Sequence, residues 1–171
     1  MIGPEIPVTI RPEAAGDDDT IFALTQAAFE GMAHSDGDEP RIISALREAG
    51  DLALSLVAED GVRIVGHIAI SPVTISDGTR GWFGLGPVSV APDLQGRGIG
   101  GALVKRAIAD MRVSGARGIV LLGDPEYYRR FGFAHDPRLT YPGPPAEYFQ
   151  ALSMAGEMPS GEVKYARAFG S

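Results

Sequence analysis

The sequence predicts an α/β chain of the α+β type, built on a mixed central sheet with helices on both faces. Three observations predict it. Residues 52–58 and 64–70 are apolar runs joined by a turn at Glu59, Asp60 and Gly61, which is the pattern of a hairpin. Residues 82–90, 97–114 and 119–122 read as strand, amphipathic helix and strand. Between and around them lies no repeat, no low-complexity tract and no linker. A hairpin early and a strand–helix–strand unit later imply a mixed sheet covered on both sides.

The elements follow in order. Val8, Thr9, Ile10 and Arg11 read as a first strand, ended by Pro12. Asp17, Asp18, Asp19 and Thr20 offer caps to a helix carrying Ile21, Phe22, Leu24, Ala28 and Phe29 at helical spacing. Residues 34–38 are polar and turn-like. A second helix then turns Ile42, Ile43 and Leu46 inward and closes at Gly50. After the hairpin, the strand at residues 82–90 is interrupted by Gly84, Gly86 and Pro87. In the long helix Ile99, Leu103, Ala107 and Met111 step by four, with Val104 and Ile108 beside them. Pro125 opens a short helix ending near Gly132. Residues 137–145 read as loop, 147–152 as helix and 163–169 as a closing strand.

Composition narrows the function. The 171 residues suit one domain spanning 1–171, and 44% hydrophobic with 22% charged residues is ordinary for a globular chain. No apolar run reaches the ~20 residues of a membrane span, and the first residues lack the charged and apolar regions of a signal peptide. There is no cysteine, hence no disulfide, thiolate metal site or cysteine nucleophile. A cytoplasmic protein with no membrane partner and no metal is expected. The net charge of −7 disfavours nucleic-acid binding. The charge is also unevenly spread: residues 13–60 hold twelve acids against Arg41 and Arg47, whereas 97–138 hold eight bases and four acids.

Gln95, Gly96, Arg97, Gly98, Ile99, Gly100 and Gly101 join a strand to the long helix. Four glycines in that run weaken a helix start, at ~0.5–1 kcal/mol for each interior position relative to Ala. They also bare backbone N–H groups at a helix N-terminus, where the dipole favours an anion, and Arg97 adds a charge. A diphosphate ligand fits these properties. Gly96, Gly98 and Gly101 match Gly-x-Gly-x-x-Gly, so a dinucleotide site is the rival reading. In that fold, however, the first glycine follows its strand directly, whereas Ala91 to Gln95 intervene here. A Walker loop is excluded because no Gly-Lys-Ser/Thr follows.

With Gln95, Gly98 and Gly100 in place, and Tyr128, Gly132 and Phe133 downstream, the chain resembles the GCN5-related N-acetyltransferase (GNAT) superfamily. That family carries Arg/Gln-x-x-Gly-x-Gly/Ala between a strand and a helix, and then Tyr-x-x-x-Gly-Phe. The likeness extends over nearly the whole chain, through residues 39–47, 66–72 and 161–169, and looks like a bacterial subgroup of YhbS type. It implies a mostly antiparallel sheet with a splayed strand pair at the acyl-CoA site. It also implies acetyl-CoA as co-substrate, an amine as acceptor and, as is frequent among relatives, a homodimer, for which residues 163–169 offer a strand to pair.

The resemblance further implies direct attack of the amine on the thioester through a tetrahedral intermediate. The backbone of Val88, Ser89 and Val90 is then expected along the pantetheine arm. Residues 95–101 are expected on the pyrophosphate. Tyr128 is the expected donor to the leaving thiolate, its ordinary pKa of ~10 keeping it protonated at neutral pH. Relatives often place a glutamate on the splayed strand, but Trp82 to Val90 carries no acid. Glu39 and His67 are the candidates for the base, with His34 behind them. Each also has an ordinary structural reading, Glu39 as a first-turn helix acid and His67 as a core histidine. The acidic first helices suggest a cationic amine: a polyamine, an aminoglycoside-like molecule, an amino acid amide or a protein lysine. A non-catalytic acyl-CoA sensor is the alternative function.

Overall fold

Apolar runs buried on both faces build the central sheet, with one amphipathic helix packed on it, in the computed structural model, which describes residues 3–33 and 35–170. His34 lies outside the described residues. β1 (Thr9–Pro12) is followed by α1 (Asp18–Phe29) and α2 (Glu39–Ala49). Next come β2 (Leu54–Glu59), β3 (Ile64–Pro72), the short β4 (Thr74–Ile75) and β5 (Trp82–Val90). The second half holds α3 (Ile99–Val113), β6 (Gly118–Leu122), α4 (Pro125–Tyr128), β7 (Leu139–Thr140), β8 (Phe149–Ser153) and β9 (Gly161–Lys164). The main sheet runs β1-β2-β3-β5-β6-β8, antiparallel except for the β5/β6 pair.

The two faces of this sheet are buried differently. Ile99, Leu103, Val104, Ala107, Ile108 and Met111 of α3 pack on Leu56, Ala58, Val65, Ile68 and Ile70. Each of the larger aliphatic side chains among them contributes roughly 1.5–3 kcal/mol when fully buried. The helix approaches closely because Gly66 offers no side chain. A Cβ there would stand 2.9 Å from both Ile99 Cγ2 and Leu103 Cδ1. On the opposite face, Ile21 of α1 and Ile43 of α2 cover Val57 and Ala69.

β5 is the element that shapes the site. Ile68 and Ile70 of β3 oppose Val88 and Leu85, so β5 holds one residue more than its partner across Gly86 and Pro87. Such a bulge bends a strand and ends its regular pairing. Gly86 takes φ 131°, open to glycine, and the Gly86–Pro87 bond is cis. On its other edge β5 pairs with β6 only from Trp82↔Gly118 to Gly84↔Val120. Beyond Gly84 the two strands part, as the family resemblance leads one to expect.

Three expectations are corrected. Residues 147–152 are not helical: a single 3-10 turn (Ala146–Tyr148) leads into β8, which pairs with β6. Glu147, Gln150, Ala151 and Leu152 favour helix locally, but the open edge of β6 takes this segment as a strand. Tertiary pairing overrides such weak propensities. The closing strand ends at Lys164, and a 3-10 turn (Arg167–Phe169) follows. β9 lies between β4 and β7 in a small second sheet, so the loop expected over 137–145 contains a strand as well.

Candidate active site

The parting of β5 and β6 opens a cleft of about 460 Å³. Its lining comes from α1 (Phe29), α2 (Glu39, Ile42), the bulge of β5 (Leu85, Gly86, Pro87, Val88), the end of β6 (Leu122) and α4 (Tyr128). Tyr141, Tyr165 and Phe169 close it from the side of the small sheet. Glu39 and Tyr128, far apart in sequence, therefore face one space.

Tyr128 is set by local packing. Asp124 caps α4 by accepting from Glu126 N–H at 3.0 Å, and Pro125 starts the helix without needing a donor. The ring stacks edge-on against Phe133, with centroids 6.2 Å apart, and lies hard against Gly123, where a Cβ would be 2.5 Å from Tyr128 Cε2. Burial, with Tyr127 beside it, pushes the Tyr128 hydroxyl up to about 12, so it is a protonated donor at neutral pH. Tyr127 points elsewhere. Its hydroxyl lies toward Gly100 and Gly101 at the start of α3, and Arg130 sits 4.4 Å from its ring centroid.

Glu39 opens α2 and is half-buried, its Oε1 accepting from Ser35 Oγ at 2.6 Å. His67 does not line the cleft. It is fully buried between the sheet and the helices, with its Nε2 2.8 Å from Ser55 Oγ. Burial pushes it down to about 4; Glu13 pulls the other way and Arg47 adds to the drop. A neutral imidazole sealed off from the cleft is poorly suited to take a proton from an acceptor there, which favours the core-histidine reading of His67 over the base one. Ser55 in turn donates to Glu13, and Arg47 grips Glu13 at 2.8 and 2.9 Å. Burial alone would raise Glu13, but the Arg47 and Ser55 hydrogen bonds win and hold it below the usual carboxylate range.

Much of the acidic half is thus engaged internally. Asp17 and Glu59 both pair with Arg11 at 2.8 Å, and Glu13 pairs with Arg47. Of the acids in α1 and α2, Glu39 is the one lining the cleft. In the basic half, Arg106 pairs with Asp110 at 3.1 Å and Arg129 with Glu126 at 3.3 Å.

The glycine-rich turn lies beside the open edge of β5. After a 3-10 turn (Pro92–Leu94), Gly96 and Gly98 take φ 78° and 84°, and Gly98 is the N-cap of α3. The turn thereby points the first amides of α3 outward without a side-chain cap. A Cβ on Gly100 or Gly101 would meet only ordinary contacts at 3.6 Å or more, so packing does not demand glycine at either position. Gln95 Nε2 donates to Val90 O at 3.2 Å and holds the end of β5. Ser89 buries its hydroxyl against Thr25 Oγ1 at 3.2 Å, which leaves its backbone as the part that could meet a ligand. Sequence reasoning missed Phe29, Ile42, Leu122, Tyr141, Tyr165 and Phe169. Their only signal was isolated aromatic or aliphatic residues near element ends.

Among the described residues no group of three or more His, Cys, Asp or Glu side chains gathers as a metal site, and no helix is long and apolar enough to cross a membrane.

A splayed β5/β6 pair, an uncapped glycine-rich helix start and a tyrosine at the cleft define an acyltransferase of the GNAT type. Residues 9–135 match the model of the acetyltransferase (GNAT) domain, and the chain belongs to that family. It is 36% identical over 139 residues to the uncharacterized N-acetyltransferase YhbS of Escherichia coli strain K12, which covers 78% of this chain and 80% of that protein. A GNAT family acetyltransferase from Brucella melitensis, solved in complex with acetyl-CoA, is 47% identical. It superposes with a TM-score of 0.85 over 96% of this chain and 99% of that one. The E. coli YhbS structure, in complex with CoA, gives a TM-score of 0.87 at 31% identity over 100% and 96% of the two chains.

Proposed function

We propose that this acetyltransferase, one domain over residues 1–171, moves the acetyl group of acetyl-CoA directly onto a primary amine held in the cleft. The observation that carries the reading is the shared cleft of Glu39 and Tyr128 at the open edge of β5. The CoA pyrophosphate would lie on the amides of residues 95–101 and beside Arg97. The pantetheine arm would run along the backbone of Val88, Ser89 and Val90, whose β6-facing side is unpaired.

The chemistry then follows from charge. An alkylamine, with a pKa near ~10.4, arrives as ammonium and must lose a proton before it can attack. Glu39 holds the ammonium and passes that proton on through water. The nitrogen lone pair attacks the thioester carbon, and a tetrahedral oxyanion forms against backbone N–H of β5. Collapse breaks the C–S bond. Tyr128 gives its proton to the departing sulfur and recovers one from the new amide nitrogen. Acetyl-CoA and ammonium become amide, CoA thiol and one released proton.

The test is thiol release from acetyl-CoA against a broad amine panel, with Tyr128→Phe beside the native protein. Native turnover with one amine class is expected, and a loss of about 10²-fold or more in kcat for the variant with CoA affinity kept. The absence of acid on β5 favours a second reading, an acyl-CoA sensor. CoA binding with no amine-driven release would leave only that one standing.

A further inference from the structure

The walls of the cleft say more about the acceptor than the charge of the chain does. Five aromatic rings line it, those of Phe29, Tyr128, Tyr141, Tyr165 and Phe169, together with Ile42, Leu85, Pro87 and Leu122. Against them, among the described residues, stands a single carboxylate, Glu39. Tyr165 anchors the aromatic wall. Its ring meets Tyr141 and Phe169 edge-on at centroid distances of 5.2 Å each. It lies so close over β5 that a Cβ on Gly84 would be 2.7 Å from Tyr165 Cε2. Its hydroxyl oxygen is buried and has no hydrogen-bond partner among the described residues. Buried polar groups are nearly always satisfied, so this hydroxyl, on a residue that lines the cleft, is a group in want of a partner.

Resting on the transferase reading, we propose that the acceptor is a singly charged primary amine on an aromatic body that carries a hydroxyl or other hydrogen-bonding group, an aralkylamine. Tyr165 is its specificity-determining residue. The ammonium meets Glu39, and the ring of the acceptor stacks among the aromatic side chains, where edge and face contacts reward a flat apolar body. The aromatic faces near the ammonium add cation–π attraction. The far polar group of the acceptor pairs with the Tyr165 hydroxyl. A site built to hydrogen-bond such a group discriminates strongly against an analogue that lacks it.

A polycation suits this cleft less well. Its second ammonium would lie among rings with no further carboxylate among the described residues. To find one it would have to pass Phe29 into the neighbouring hollow, where Glu30 and Asp36 line the wall. Among the cationic classes that the acidic helices suggest, the interior selects the monocation.

The experiment compares kcat/KM for tyramine, phenethylamine, spermidine and a lysine peptide, on the native protein and on Tyr165→Phe, with thermal unfolding to check that the variant folds. The native protein is expected to prefer tyramine at least tenfold over spermidine and the peptide, and to prefer it over phenethylamine. In Tyr165→Phe the tyramine-to-phenethylamine ratio is expected to collapse toward one, mainly through KM. Preference for spermidine or the peptide overturns the inference and leaves the transferase reading intact, and a native ratio that Tyr165→Phe fails to move overturns the role of Tyr165. If acetyl-CoA binds by calorimetry and no amine is turned over, the transferase reading falls and this one with it.

Discussion

At the scale of single residues, the position of Tyr128 depends on a neighbour that has no chemistry of its own. Gly123 leaves the space its ring fills, and a methyl group there cannot coexist with the ring as placed. Gly123→Ala is therefore expected to lower kcat by an order of magnitude or more while leaving CoA affinity within twofold. A near-attack geometry tolerates little displacement. Steady-state kinetics beside a CoA titration measure both, and unchanged kcat would show that the ring position is not critical. Tyr128 itself was legible in the sequence because it sits four residues before Gly132 in a contiguous motif. Gly123 was not, since its role lies in contact with a ring that folding brings over it. His67 illustrates a different difficulty. A histidine on an apolar strand is equally a base or a core residue until its surroundings are known, and here they are Ser55 and the inner faces of two helices.

At the scale of elements, the start of α3 holds two glycines with different reasons. Gly98 adopts a left-handed conformation that costs a side-chain residue roughly 1–2 kcal/mol, and it also has Glu5 Cγ at 3.2 Å from where a Cβ would be. Gly101 lies in ordinary helical backbone with room for a methyl. Urea unfolding should therefore move in opposite directions. Gly98→Ala is expected to lose about 1–2 kcal/mol and to weaken CoA binding, whereas Gly101→Ala should gain about 0.5–1 kcal/mol. Equal shifts for both would refute the distinction. This element was readable because its periodicity and its glycines are local. β8 was not, because nothing within Phe149, Gln150 and Ala151 announces that the edge of β6 is free to receive them.

At the scale of the whole molecule, a polar layer lies under α1 and α2, running from His67 through Ser55 to Glu13 and Arg47. It ties stability to pH. The folded His67 titrates at about 4 against 6.5 for the free side chain. Above pH 6.5 the ring is neutral in both states and stability is unaffected. As pH falls from 6.5 toward 4, the unfolded chain binds a proton that the folded one refuses. Stability then drops by up to about 3 kcal/mol from this group. Unfolding at pH 7 and pH 4.5 should show most of that loss in the native protein and a flatter dependence in His67→Gln; matching slopes would assign the loss to other groups.

The donor-facing and acceptor-facing parts of the site differ in how the chain encodes them. Residues 88–101 form one unbroken stretch, a strand end running into a helix start. The opposite walls are drawn from α1, α2, the β7–β8 connection and the segment after β9. Through descent, replacements at Phe29, Tyr141, Tyr165 or Phe169 can then retune which amine is accepted without touching the stretch that grips the activated acetyl group. Paralogues diverging in substrate should carry their differences at these scattered wall positions.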